Sequence, residues 1–133
     1  MSRYDVIIIG AGPGGIFAAY ELAKKAPELK VAVFESGNSL EKRKCPIDGK
    51  KIKSCINCKT CAIMSGFGGA GAFSDGKYNI TNDFGGTLYE YIGKDTAIDL
   101  MKYVDEINLA YGGEGTKMYS TAGTDIKKTL YSK

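Results

Sequence analysis

The strongest constraint on the fold is a glycine-rich turn that joins an apolar run to a helix. Every residue of the run Val6–Ile9 is β-branched, which is typical of a parallel strand buried on both faces. The glycine fingerprint follows directly as Gly10-Ala11-Gly12-Pro13-Gly14-Gly15. Its first glycine permits a tight turn, its second lets the backbone approach a pyrophosphate, and its last lets the helix pack closely on the strand. The helix N-terminus then presents free N–H groups to phosphates.

The segment after the fingerprint predicts a helix from Gly14 to about Lys25, followed by a second strand. The apolar run 31–34 places Glu35 at the C-terminal end of that strand, twenty residues after the last glycine of the fingerprint. A carboxylate at this point binds a ribose 2′-hydroxyl and repels the 2′-phosphate of NADP. The order of strand, glycines, helix, strand and acid therefore predicts a βαβ unit over residues 4–36 that binds NAD or FAD.

The stretch from Asp5 to Ala23 resembles the opening of the glutathione-reductase-like flavoproteins, whose FAD site begins within the first few residues. The resemblance implies FAD as the cofactor. It also implies an arginine near the FAD pyrophosphate, several residues past the ribose acid, and Arg43 occupies a comparable position. The residue types leave a second interpretation open, in which Arg43 is an exposed surface charge between Lys42 and Lys44.

All four cysteines lie within one seventeen-residue stretch of a cysteine-rich insertion over residues 41–62. They are Cys45, Cys55, Cys58 and Cys61. In a cytosolic chain, such clustering favours metal ligation or redox chemistry over structural disulfides. The Cys-x2-Cys-x2-Cys spacing with a separate Cys-Pro predicts four thiolate ligands, either for a [4Fe–4S] cluster or for a tetrahedral zinc ion. Two other interpretations stay open: a redox dithiol beside the flavin, and free structural cysteines.

A second glycine-rich segment, residues 65–77, contains two phenylalanines, which distinguishes it from a flexible linker. With the fingerprint and the insertion, its string Gly-Phe-Gly-Gly-Ala-Gly-Ala-Phe-Ser-Asp-Gly-Lys is similar to an uncharacterised family of FAD-dependent dehydrogenases from bacteria and archaea. The resemblance covers nearly the whole chain, as the N-terminal part of a longer enzyme. It implies that the segment runs alongside the flavin, with Gly68, Gly69 and Gly71 in contact. NAD(P)H is a candidate co-substrate.

The remaining segments carry weaker signals. Residues 87–111 predict a helical segment interrupted near Gly93, with an apolar stripe that is core or interface. Residues 124–131 predict the start of a short helix. Asp75 and Lys77 are either contacts of the flavin or substrate, or a loop cap and a solvated charge.

The composition excludes several classes of function. There is no histidine, which removes Ser-His-Asp and Cys-His catalysis and histidine-ligated metal sites. The net charge of +3 is mild and no aromatic platform accompanies it, so we expect no nucleic-acid partner. No apolar run reaches membrane-spanning length and no signal peptide precedes the first strand, so we expect a cytoplasmic protein without a membrane partner.

Together these patterns predict an α/β chain in which residues 1–133 form one incomplete Rossmann-type FAD-binding unit with a cysteine-rich insertion. The predicted function is FAD-dependent oxidoreduction, as in a dehydrogenase, of an unidentified small-molecule substrate. We expect this chain to bind the ADP part of FAD, with the missing C-terminal part of the enzyme, as a separate chain, for its partner. Two alternatives remain: an inactive or truncated nucleotide- or metal-binding remnant, and a flavin-linked dithiol reductase that uses the cysteines.

Overall fold

The structure is a computed structural model that describes residues 3–74, 76–83 and 85–116. The chain divides into two compact units after Lys77. Asp75 and the short helix expected over residues 124–131 lie outside the described residues.

The first unit opens with two strands joined through a helix. These elements are β1 (Val6–Ile9), α1 (Pro13–Lys25) and β2 (Val31–Phe34). The strands pair in parallel, in a register that places Val6 opposite Val31 and Ile9 opposite Phe34. Strand, helix and strand lie where the hydrophobic pattern places them. The result is a small α/β unit compatible with an incomplete Rossmann-type fold.

Two glycines of the fingerprint explain the tight passage from β1 into α1. Gly10 has a φ of +96°, in the region that favours glycine. A Cβ placed on Gly15 would overlap the carbonyl oxygen of Gly10 and would lie 3.2 Å from Cγ2 of Ile8. Helix α1 therefore packs on β1 at a distance that a side chain at position 15 would prevent, which is the role expected of the last glycine in the fingerprint.

The two faces of the small sheet differ in exposure. Helix α1 contacts both strands, whereas Ile7 and Ile9 of β1 are 58% and 89% exposed. Burial on both faces, as expected from the β-branched run, is therefore wrong for this unit. The reason is that the described residues supply a covering helix to one face only, so alternate side chains of β1 face solvent.

Loops dominate the rest of the first unit. Two short 3₁₀ turns occur at Leu40–Lys42 and Ala70–Phe73, and the residues between them form neither helix nor strand. From Lys44 to Cys61, every residue except Ile52 is exposed. The cysteine-rich insertion consequently has almost no apolar core of its own.

The second unit contains two helices, α2 (Leu88–Ile92) and α3 (Lys94–Ala110). The break between them is at Gly93, whose φ is +84°. Ala97 is fully buried, but Leu100 and Tyr111 of the apolar stripe are 46% and 74% exposed. The exposed part of the stripe is thus not a core within the described residues.

No helix in the described part of the chain is long and apolar enough to span a membrane.

We predict that Gly15→Ala lowers the free energy of unfolding by about 1–3 kcal/mol, because the added methyl group collides with the Gly10 carbonyl. Gly14→Ala is the matched control, since it lies on the same helix with open space around it. This control should raise stability by up to about 1 kcal/mol through helix propensity. Urea unfolding followed by circular dichroism measures both variants. Equal stabilities would show that α1 does not pack this closely on β1.

Candidate functional site

The N-terminus of α1 has no side-chain cap. Gly12 is the N-cap residue and supplies no capping side chain, and the first turn contains no acidic residue. The N–H groups of an uncapped first turn are donors that point along the positive end of the helix dipole. Pro13 occupies the first helical position, where its missing N–H costs nothing and its φ suits the helix. This arrangement can bind a phosphate or pyrophosphate.

Glu35 directly follows β2, and hydrogen bonds hold its carboxylate beside the fingerprint. Oε2 accepts a hydrogen bond from the Ala11 N–H at 2.8 Å, and Oε1 accepts one from the Gly37 N–H at 2.7 Å. These bonds, chiefly the one from Ala11, hold the pKa of Glu35 below its ordinary value, with a smaller contribution from the charge of Arg43. Each oxygen keeps a further lone pair that can accept a ribose hydroxyl. The ribose-binding role of Glu35 stays a prediction.

The second glycine-rich segment packs directly on the fingerprint. Gly68 donates its N–H to the carbonyl oxygen of Ala11 at 2.8 Å. A Cβ on Gly69 would lie 3.1 Å from Cα of Gly12, so the two backbones are in close contact. Gly71 lies near the proline that opens α1. The structure thus brings these three glycines to the fingerprint, and their contact with a flavin stays a prediction.

Arg43 is buried, with 3% of its surface exposed, and its guanidinium donates to a group of backbone carbonyls. The acceptors at 2.6–2.9 Å are Ala62, Ile63, Phe67 and Gly69, and Gly66 lies at 3.5 Å. The guanidinium carbon also lies 4.8 Å from the centre of the Phe73 ring, a cation–π distance. One side chain therefore holds the end of the cysteine-rich insertion and the start of the glycine-rich segment together.

The interpretation of Arg43 as an exposed surface charge is wrong, because the side chain is buried against backbone. Its pyrophosphate contact, implied by family resemblance, stays a prediction, but the structure assigns its donors to carbonyls. This structural role was missed in the sequence. One sequence feature could have indicated it: Arg43 is one of only two arginines among the 18 basic residues of the chain. Arginine presents several donors in a planar fork, which lysine cannot imitate.

The four cysteines of the insertion surround one cavity. Cys45, Cys55, Cys58 and Cys61 carry free, exposed thiols, and all four line a cavity of about 230 Å³. Across residues 3–74, 76–83 and 85–116, no group of three or more Cys, Asp or Glu residues is arranged to hold a metal ion. Both metal alternatives, the zinc ion and the [4Fe–4S] cluster, stay predictions.

Comparison with known proteins finds similarity at the N-terminal end. The Thi4 family matches residues 1–41. A thiamine thiazole synthase of Yarrowia lipolytica is 61% identical over 33 residues, which is 25% of this chain and 10% of the relative. One of Fusarium oxysporum is 54% identical over 35 residues, which is 26% of this chain and 11% of the relative. No solved structure gives a significant match.

A longer stretch is similar to an uncharacterized protein of Clostridium beijerinckii. The identity is 39% over 71 residues, which is 53% of this chain and 13% of the relative. This similarity is too long to lie within the βαβ unit alone. The chain spans about a tenth of the length of the curated relatives it matches. The comparisons support an FAD-binding unit of the Rossmann type at the N-terminal end, and they do not support a dehydrogenase in particular.

We predict that Arg43→Lys lowers the free energy of unfolding by about 2–4 kcal/mol, because an ammonium group leaves several buried carbonyls without donors. Lys44→Ala, which removes a neighbouring exposed charge, should change it by less than about 0.5 kcal/mol. Urea unfolding measures both variants, and limited proteolysis should show faster cleavage within residues 44–69 of Arg43→Lys. Wild-type stability of Arg43→Lys would show that these carbonyls do not need the guanidinium.

The lowered pKa of Glu35 predicts a stability contribution that depends on pH. It is complete above the ordinary value of 4.5 and is lost as the pH falls through the lower folded pKa, because the Ala11 and Gly37 N–H groups favour the ionised form. We expect Glu35→Gln to be less stable than the natural chain at neutral pH, with a difference that shrinks in acid. Urea unfolding from about pH 7 to about pH 3 tests this, with the exposed Glu28→Gln as control. A difference independent of pH would contradict the prediction.

Proposed function

We propose that this chain binds the ADP part of FAD and forms the cofactor-binding end of a flavin-dependent oxidoreductase. The observation that supports this most directly is that the N-terminus of α1 lacks a side-chain cap and lies beside the Glu35 carboxylate, which hydrogen bonds hold in place. The helix terminus suits a pyrophosphate and the carboxylate suits the adenosine ribose. Ala11 links the two features, because it belongs to the fingerprint and donates its N–H to Glu35.

The choice of FAD among dinucleotides rests on charge and on the similarity to the Thi4 family. A carboxylate at position 35 disfavours the 2′-phosphate of NADP. The Thi4 match over residues 1–41 favours FAD over NAD. When bound, the flavin supplies the redox chemistry, and residues of this chain bind and orient it. NAD(P)H is the proposed co-substrate of the parent enzyme.

The exposed face of the sheet is a candidate surface for binding the rest of the enzyme. Parallel sheets are normally covered on both faces, yet Ile7 and Ile9 are exposed. We therefore propose that the rest of a longer enzyme, in the same chain or in a separate one, covers this face and adds FAD contacts. That part would also hold the small-molecule substrate.

The similarity to thiamine thiazole synthases does not imply their activity for this chain. The similarity to the thiamine thiazole synthases spans 33 to 35 residues, about the length of the βαβ unit. It therefore bears on nucleotide binding, because a shared fold unit does not transfer a reaction.

The test is nucleotide binding by the 133-residue chain, measured by isothermal titration calorimetry. We expect ADP and FAD to bind, because both carry the adenosine diphosphate that the site recognises. FMN, which lacks the adenylate half, and 2′-phospho-ADP should bind at least about tenfold more weakly, a difference of about 1.4 kcal/mol. Equal affinity for ADP and 2′-phospho-ADP, or for FAD and FMN, would overturn the proposal.

In the same experiment, Gly12→Ala separates binding from folding. A Cβ at this position meets only Cα of Gly69, at an ordinary 4.0 Å, so the fold should be retained. The methyl group nevertheless occupies the space through which a pyrophosphate approaches the turn. ADP affinity should fall about tenfold or more while stability changes by less than about 0.5 kcal/mol. Unchanged ADP affinity would place the pyrophosphate elsewhere.

A further inference from the structure

The cysteine loop, residues 44–61, is the part of the first unit that the proposed function does not use. It contains all the cysteines of the chain, and all of them line one cavity of about 230 Å³. We propose that the four cysteines together hold one [4Fe–4S] cluster in this cavity, a site separate from the dinucleotide-binding turn. The ligands are Cys45, Cys55, Cys58 and Cys61.

The spacing of the cysteines favours a cluster over a single ion. The four residues line one cavity, which brings them to one place in the fold. A structural zinc draws four sulfurs to about 2.3 Å from a single centre. A [4Fe–4S] cluster offers one iron to each of four thiolates, and its ligands commonly recur at every third position. Three of the four cysteines have this spacing, and the fourth is followed by a proline.

The loop also needs a source of order other than apolar burial. Apart from Ile52, its residues are exposed, and they form neither helix nor strand. The Asp48 carboxylate accepts the N–H groups of Lys50 and Ile52 at 2.8 and 2.9 Å, which makes one local turn. Long loops without secondary structure are usually either functional or linker segments, and bonds between metal and thiolate contribute folding free energy directly.

The surroundings of the cavity suit a cluster held by thiolates. Besides the cysteines, its lining is mostly apolar: Pro46, Ile47, Ile56, Asn57 and Ala62. Apolar side chains beside a cluster affect its reduction potential. Six lysines between residues 42 and 59 offset the negative charge that four thiolates bring together. The spacing of three residues from Cys55 to Cys58 to Cys61 is typical of cluster ligands.

Arg43 connects this site to the dinucleotide-binding turn. It precedes the loop, and it donates hydrogen bonds to Ala62 and Ile63 immediately after the last cysteine, at 2.8 and 2.6 Å. The same guanidinium donates to Phe67 at 2.6 Å, within the segment that packs on the fingerprint. One buried side chain therefore holds both ends of the cysteine loop and the segment between the two sites.

The experiment uses the 133-residue chain, purified anaerobically and reconstituted with ferrous iron and sulfide in the absence of nucleotide. We expect about four irons and about four sulfides per chain, broad visible absorption, and an electron paramagnetic resonance signal after reduction with dithionite. A parallel sample receives zinc alone. One zinc held by all four thiols without cluster formation, two irons with two sulfides, or a chain without metal whose four thiols all react with an alkylating agent would each overturn the proposal.

Variants identify the ligands. Cys58→Ser and Cys45→Ser should lose most of the iron, whereas Thr60→Ser, between two ligands, should keep it. A full cluster in Cys45→Ser would overturn the assignment of four cysteine ligands. If the cysteine variants do not fold, the metal content of the unchanged chain still decides. ADP binding is measured on the same samples, so a cluster in a chain that does not bind ADP would overturn the proposed function and leave this proposal intact.

Discussion

A buried guanidinium connects parts of the first unit that have no apolar core to hold them. Arg43 donates to carbonyls that lie beyond the cysteine loop and within the glycine-rich segment. The planar fork offers donors in several directions at once, so separate stretches of backbone converge on it. An unpaired buried charge would be strongly unfavourable. The carbonyl dipoles and the ring of Phe73 supply the compensation in this case.

Two hydrogen bonds of the backbone of one residue, Ala11, fix the fingerprint to neighbouring segments. Ala11 is buried, its N–H donates to Glu35, and its carbonyl oxygen accepts a hydrogen bond from Gly68. The turn that would face a pyrophosphate is therefore held in place by contacts within the chain. A ligand binding there does not have to order this backbone first, and preorganisation of this kind favours affinity.

The first unit divides its tasks between a regular element and loops. The βαβ unit is the scaffold. The cysteine loop and the glycine-rich segment carry the cysteines and several glycines, and loops on a scaffold commonly carry functional residues. The similarity to thiamine thiazole synthases covers a stretch about as long as the βαβ unit. This similarity is compatible with an FAD-binding unit of the Rossmann type, whereas a reaction depends on residues outside such a unit.

The sequence by itself determined the strands, the helix between them, the glycines of the turn and the position of Glu35 at the end of β2. These features depend on steric and periodic rules that act between near neighbours in the chain. Only the tertiary structure decided that Arg43 is buried, that Ile7 and Ile9 are exposed, and that the cysteines surround one cavity. The hydrogen bonds of Arg43 join residues 19 to 26 positions apart, across loops without a repeating pattern. Which distant segments meet depends on the packing of the folded chain, and local patterns do not encode it.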